Sequence, residues 1–139
     1  MKADLEKALL LAIQAHHGQK DKAGKPYILH PLRVMLQLTT LEEQQTAILH
    51  DVIEDSSITI TKLEQSGFSI KVISAVNFLT RKKNQSYEKY IDLLKKNPLA
   101  RKVKLGDLQD NMDLSRIKKL TIKDKMRLIK YQKAYNNLK

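Results

Sequence analysis

The sequence predicts an all-α protein, an orthogonal bundle of helices folded as one domain. Apolar residues recur at helical spacing along most of the 139 residues, and Ser/Thr capping signatures precede several of these runs. No stretch has the two-residue alternation of a half-buried strand, and the sequence contains no internal repeat or low-complexity tract. A chain of this length can bury its own core, so we expect one domain over residues 1–139.

The first elements are predicted from apolar spacing and from Gly/Pro punctuation. Leu5–Ile13 is apolar at helical spacing, and Gly18 and Gly24 bracket the loop that follows. A second, short helix should begin at Pro31, because proline is favoured in the first turn of a helix.

Capping-box signatures predict where two later helices begin. Thr40 with Glu43 should cap a third helix that continues through residues 48–55, and Thr61 with Glu64 repeats the signature. The remaining predicted helices span residues 69–79, 86–96, 98–115 and, behind Thr121, 121–137.

The segment Ile48–Asp55 places four ionisable side chains in an apolar helical pattern. Burying such groups is costly unless they are paired or bind a metal. His50 and Asp51 are adjacent and could flank one cation, while Glu54 and Asp55 lie one turn further on. The alternative is that local hydrogen bonds satisfy these side chains, but the adjoining acidic pair and two partners elsewhere favour a site.

Those partners are a histidine upstream and an aspartate downstream. His30 precedes Pro31 at a predicted helix start, and Asp107 shares a helix face with Asn111. Together with the His-Asp pair they make a mixed nitrogen and oxygen set, which suits Mn²⁺, Fe²⁺, Co²⁺ or Zn²⁺. The chain has no cysteine, so a zinc-finger-like structural site is excluded.

Four motifs follow one another along the chain: His30, His50–Asp51, Glu54–Asp55 and Asp107. Their order resembles the HD superfamily of metal-dependent phosphohydrolases. The flanking residues are similar to the hydrolase domain of RelA/SpoT-type proteins, and the length is similar to that of stand-alone small alarmone hydrolases. The segments that carry this similarity are Ala15–Gln19, Gly24–Leu32, Leu49–Asp55 and Lys104–Asn111. They fall within residues 3–115, which is nearly the whole chain.

The resemblance implies an HD-type bundle with a metal site where the helices converge. The implied metal ligands are His30, His50, Asp51 and Asp107. We expect Mn²⁺, with Fe²⁺, Co²⁺ and Zn²⁺ as alternatives. The implied activity is removal of the 3′-diphosphate from an alarmone such as guanosine 3′,5′-bis(diphosphate). Alternatives are hydrolysis of another nucleotide or phosphoester, for example an adenosine analogue, or a nucleotide- or RNA-binding module without turnover.

The resemblance also implies roles for residues around the metal. Glu54 and Asp55 are expected to orient and deprotonate the attacking water. The residues expected to contact the substrate are Lys22, Tyr27, Lys104 and Asn111.

Two parts of the sequence depart from the family pattern. One part comprises Leu108, Asp110 and Leu114, which stand where basic, aromatic or small polar residues are frequent in the family. The other part lies in the first loop. Asp21 stands where many alarmone hydrolases carry an arginine that stacks on the guanine base, and Ala23 stands where many have a small polar residue. An aspartate offers no cation–π contact. We therefore expect weak selection of the base.

Positive charge increases along the chain. Residues 1–70 carry 7 Lys/Arg against 9 Asp/Glu, residues 71–115 carry 10 against 5, and residues 116–139 carry 9 against 1. We interpret the basic C-terminal helix as a solvated face or a field that attracts an anionic substrate, and favour this over nucleic-acid binding because lysine predominates. No apolar run is long enough for a membrane span and no signal peptide is present, so we expect a soluble, cytoplasmic protein.

Overall fold

The computed structural model describes residues 2–139, and within them it consists of helices joined by short loops. The helices are α1 (Leu5–His16), α2 (Leu29–Leu36), α3 (Leu41–Leu49), α4 (Val52–Asp55), α5 (Ile60–Gln65), α6 (Ile70–Leu79), α7 (Tyr87–Leu94), α8 (Pro98–Met112) and α9 (Ile122–Leu138). The predicted all-α class is confirmed. An isolated bridge between Lys20 and Pro26 closes the α1–α2 loop.

Helix α3 is the centre of the bundle. It packs against α1, α2, α6 and α8, and α9 lies across α7 and α8. The core is apolar and includes Ile48 and Leu49, which are fully buried. The His50–Asp51 pair therefore follows directly after the helix at the centre of the bundle.

The helix predicted to run through residues 48–55 is interrupted, and this part of the prediction was wrong. Helix α3 ends at Leu49 and α4 begins at Val52. The His50 Nδ1 atom lies 2.6 Å from the Ala47 carbonyl oxygen, which also accepts the His50 backbone N–H at 3.4 Å. Asp51 then leaves the helical region, with φ −106° and ψ 1°. The break turns Asp51 and the following acidic pair away from the direction of α3.

The capping predictions were partly right. Thr40 and Glu43 form the predicted capping box, and Thr121 caps α9 with Asp124 as its partner. The Thr61 prediction was wrong, because the hydroxyl of Thr59 accepts the Lys62 backbone N–H and caps α5.

The ends of two helices also differ from the prediction. Helix α2 begins at Leu29, so Pro31 is its third residue. Helix α8 ends at Met112 because Asp113 adopts an extended conformation, and its carboxylate accepts the Ser115 N–H at 3.0 Å.

Candidate metal centre and nucleotide cleft

Two histidines and an aspartate meet in the interior of the bundle. His30 of α2, His50 after α3 and Asp107 of α8 are all buried. Each offers one ligand atom, and these atoms lie within 4.8 Å of one another. Asp107 Oδ1 is 2.8 Å from His30 Nε2 and 3.4 Å from His50 Nε2. Three of the four predicted ligands thus converge.

The surroundings of His50 fit a bound cation. Its Nδ1 donates to the Ala47 carbonyl, so whenever the ring is neutral the lone pair is on Nε2. That buried Nε2 has no hydrogen-bond partner, yet Asp51 Oδ2 is 3.1 Å and Asp107 Oδ1 3.4 Å away. A lone pair facing two carboxylate oxygens is repulsive unless a cation or a proton lies between them. The nitrogen and oxygen donors present are those a divalent transition metal accepts.

Asp51 adjoins the cluster without belonging to its tightest group. Its carboxylate contacts His50 and accepts a hydrogen bond from the Tyr27 hydroxyl. Burial and the charge of Asp51 raise the pKa of Tyr27 far above its ordinary value, so this hydroxyl is a permanent donor. Tyr27 therefore fixes the orientation of the Asp51 carboxylate.

His30 is oriented by a carboxylate that the sequence analysis did not assign to the site. Its Nδ1 is 2.6 Å from Asp110 Oδ2, and Arg33 donates to both oxygens of Asp110 at 2.8 and 3.0 Å. A carboxylate that accepts the N–H of one histidine nitrogen fixes the orientation of the ring and increases the basicity of the other nitrogen. The spacing of Asp107 and Asp110, three residues apart on one helix, was the available signal.

Two of the residues predicted to contact the substrate form hydrogen bonds with Asp107. The Lys104 ammonium donates to Asp107 Oδ2 at 2.8 Å and the Asn111 amide donates to Oδ1 at 3.0 Å. Burial lowers the pKa of Lys104, but Asp107 outweighs this effect and raises it well above its ordinary value. Lys104 is therefore a charged partner of Asp107 in the buried His–Asp cluster.

Glu54 and Asp55 diverge on the two sides of α4. Glu54 Oε1 accepts the Arg81 backbone N–H at 2.6 Å, while Asp55 Oδ2 accepts from Gln19 Nε2 at 3.3 Å. Partial burial raises the pKa of both carboxyl groups. A raised pKa brings a carboxylate closer to the basicity that proton abstraction needs.

A cleft of about 290 Å³ opens beside the cluster. Among its lining residues are the predicted contacts Lys22, Tyr27 and Asn111, whereas Lys104 is not among them. The cationic and aromatic lining residues that the sequence analysis missed are Arg33, Arg116, Arg127 and Tyr131. Since α9 carries two of these, the basic C-terminal helix forms one wall of the cleft.

Asp21 also lines the cleft, but its carboxylate is used by its own loop. Its Oδ1 accepts the backbone N–H groups of Ala23 and Lys25, both at 2.9 Å. The adjoining Gly24 has φ +80°, a conformation that favours glycine. Asp21 therefore stabilises the tight turn that leads to Tyr27.

The helices form an HD-like bundle, and comparisons with known proteins agree with the resemblance found in the sequence. No protein-family model matches the chain. The chain is 31% identical over 121 residues to a guanosine-3′,5′-bis(diphosphate) 3′-pyrophosphohydrolase of Aquifex aeolicus, and 30% identical over 122 residues to one of Vibrio cholerae. Each alignment covers 78% of this chain and 17% of the relative, so the chain spans about a sixth of their length.

The fold agrees with the same group of proteins. A solved structure described as a metazoan ortholog of SpoT that hydrolyses ppGpp superposes with a TM-score of 0.77 at 22% identity. The superposition covers 100% of this chain and 87% of that one. The resemblance to RelA/SpoT-type hydrolase domains is confirmed. Within residues 2–139, no helix is long and apolar enough to cross a membrane.

Proposed function

We propose that this domain is a metal-dependent pyrophosphohydrolase that removes the 3′-diphosphate of an alarmone-like nucleotide, with guanosine 3′,5′-bis(diphosphate) as the leading substrate. The observation that carries the proposal is the unpartnered His50 Nε2 facing Asp51 and Asp107 in the buried cluster. The names of the relatives from Aquifex aeolicus and Vibrio cholerae supply the substrate class.

His30, His50 and Asp107 would hold the metal ion, with Asp51 as the fourth ligand. A divalent ion at this place supplies acidification of a bound water and polarisation of a phosphoryl oxygen. Mn²⁺ is our preferred ion, and the same donors accept Fe²⁺, Co²⁺ or Zn²⁺.

The acidic pair of α4 would handle the protons. Glu54, whose pKa burial raises, accepts a proton from the attacking water, and Asp55 helps to orient that water. The water oxygen bonds to the phosphorus attached to the ribose O3′, the O3′–P bond breaks, and O3′ gains a proton. The products are the nucleoside 5′-diphosphate and pyrophosphate.

The cleft would bind the rest of the nucleotide. Tyr27 and Asn111 reach both the cleft and the metal cluster, so the ribose belongs next to them. Lys22 is an exposed cation of the cleft wall and suits the 5′-diphosphate. Lys104 contributes its charge through Asp107. The cysteine-free composition supports a cytoplasmic location, and we still favour substrate attraction over nucleic-acid binding for the basic helix.

A second candidate is the same chemistry on a different purine nucleotide. It rests on Asp21, whose carboxylate is engaged by the Ala23 and Lys25 N–H groups and offers no planar cation to a base.

The proposal is tested by incubating the Mn²⁺-loaded protein with a panel that includes guanosine and adenosine 3′,5′-bis(diphosphate), with separation of the products by ion-exchange chromatography. Release of pyrophosphate and nucleoside 5′-diphosphate is expected from wild type and not from His50→Ala. Absence of turnover for the whole panel, with metal bound near one equivalent, would refute it. Turnover of the adenosine compound alone would support the second candidate.

A further inference from the structure

Two cations from separate elements of the fold lie near one aromatic ring, that of Tyr87. The Lys130 Nζ of α9 lies 4.0 Å from the centroid of the Tyr87 ring, and the Arg81 Cζ of the α6–α7 loop lies 5.5 Å from it. Both distances fall within the range of about 6 Å for cation–π attraction. The ring of Tyr87 is therefore in contact with both Arg81 and Lys130.

No carboxylate neutralises this pair. Across residues 2–139, neither Arg81 nor Lys130 takes part in an ion pair; Arg81 Nε donates only to the Gln85 carbonyl, at 3.0 Å. Partial burial and the charges of Arg81 and Lys104 lower the pKa of Lys130. The positive charges of Arg81 and Lys130 repel each other, and a bound anion would reduce this repulsion.

The pair is connected to the candidate catalytic groups by short contacts. The Arg81 backbone N–H donates to Glu54 Oε1 at 2.6 Å. The Tyr87 ring is 5.9 Å from Tyr90, and Lys104 Nζ lies 5.2 Å from the Tyr90 centroid while donating to Asp107. The Tyr87 hydroxyl is shielded from solvent and has no hydrogen-bond partner. Arg81 is therefore in direct contact with Glu54. Contacts through Tyr90 and Lys104 link the Tyr87 ring to Asp107.

We propose that Arg81 and Lys130 form a subsite for the outer phosphate of the 3′-diphosphate, and that the subsite recognises pyrophosphate as a free ligand. This inference rests on the proposed function for its role in turnover. In the proposed arrangement the ribose lies in the cleft beside Asn111, the inner phosphate at the buried His–Asp cluster, and the outer phosphate at Arg81 and Lys130. These two cations supply positive charge there, and the planar guanidinium suits a phosphate.

The test is titration calorimetry of inorganic pyrophosphate, and of inorganic phosphate, into the Mn²⁺-loaded protein. Arg81→Gln and Lys130→Gln should each weaken pyrophosphate binding by about five- to tenfold, as expected for loss of one charge-assisted contact. Lys130→Arg should restore it. Lys125→Gln is the matched control, because Lys125 is an exposed lysine of the same helix and lies outside the subsite. The pyrophosphate affinity of this variant should stay within about twofold of wild type.

The two proposals fail in different ways. If the wild type hydrolyses the alarmone and all three glutamine variants bind pyrophosphate alike, the subsite is refuted and the proposed function stands. If no alarmone is hydrolysed but pyrophosphate binding still depends on Arg81 and Lys130, the subsite stands and the proposed function is refuted. Equal losses for pyrophosphate in Lys125→Gln and Lys130→Gln would reduce the effect to general charge and also refute the subsite.

Discussion

Asp110 is the acidic residue whose removal best separates orientation of a metal ligand from ligation itself. Its carboxylate contacts His30 Nδ1 at 2.6 Å and does not belong to the group of converging ligand atoms. Its side chain is only 13% exposed, so solvent screens the contact weakly. Asp110→Ala should keep all four proposed ligand residues, while the His30 ring loses the hydrogen bond that orients it.

The size of the effect follows from the strength of this contact. A hydrogen bond with a charged partner contributes about 1.5–3 kcal/mol, and each 1.4 kcal/mol corresponds to a factor of ten in affinity. Metal affinity should thus fall about 10- to 100-fold in Asp110→Ala, the range found when a carboxylate that orients a metal-ligating histidine is removed. Asp110→Asn keeps an oxygen acceptor for the His30 N–H, so its loss should be nearer tenfold.

The assay is competition with a chelator of known affinity, which reports the dissociation constant of Mn²⁺ for each variant. Asp113→Ala is the matched control, because Asp113 is the next acidic residue, contacts Arg116 and Ser115, and does not reach His30. If Asp110→Ala binds Mn²⁺ as tightly as Asp113→Ala, orientation of His30 by Asp110 contributes nothing and the reasoning is wrong.

Three further predictions concern chemistry, pH and specificity. Glu54→Gln should keep metal affinity and lose about 10²–10⁴-fold in kcat; parallel loss of the metal would make Glu54 a ligand. In the metal-free protein, burial lowers the pKa of His30 and His50 but the neighbouring carboxylates outweigh it, so both pKa values are raised. This stabilisation is complete below about pH 6.5 and is lost as pH rises through the raised values. Thermal denaturation should therefore show Tm of the metal-free protein falling as pH rises above about 6.5, whereas metal affinity should increase with pH. A Tm that does not change with pH would contradict the proposed protonation of the two histidines. Asp21→Asn should leave the guanine-to-adenine ratio of kcat/KM unchanged, and a wild-type ratio above about thirty would mean that other residues read the base.

The sequence predicted the parts of the fold that depend on local patterns. Apolar spacing gave the all-α class, and the Thr40–Glu43 capping box was found because its partners are three residues apart. The interruption at His50 was missed because the apolar spacing continues across it. Its local signal is the His50 side chain, which donates to the Ala47 carbonyl. The misplaced cap of α5 has a tertiary cause: with Thr59 as the cap, Leu63 is fully buried.

The candidate site was predicted where residue type alone restricts the chemistry. His30, His50 and Asp107 stand out as costly groups among apolar neighbours, and the structure brings them together. Arg127 and Tyr131 were missed because nothing in their local sequence links α9 to a cleft whose other residues come mainly from the loops before α2 and after α8. Lys104 was expected to contact substrate, whereas its partner is Asp107, a pairing that depends on burial.

The convergence of His30, His50 and Asp107 has a mechanical consequence. These residues are separated by 20 and 57 positions along the chain, so one ion bound to all three would close two loops of the chain, as two disulfide bonds would. Closing such loops restricts the unfolded chain more than it restricts the folded one. Metal loading should accordingly slow amide hydrogen exchange in α2, α3 and α8 together, well beyond the residues that touch the ion. Exchange rates would then report how tightly these helices are held, independently of any catalytic assay.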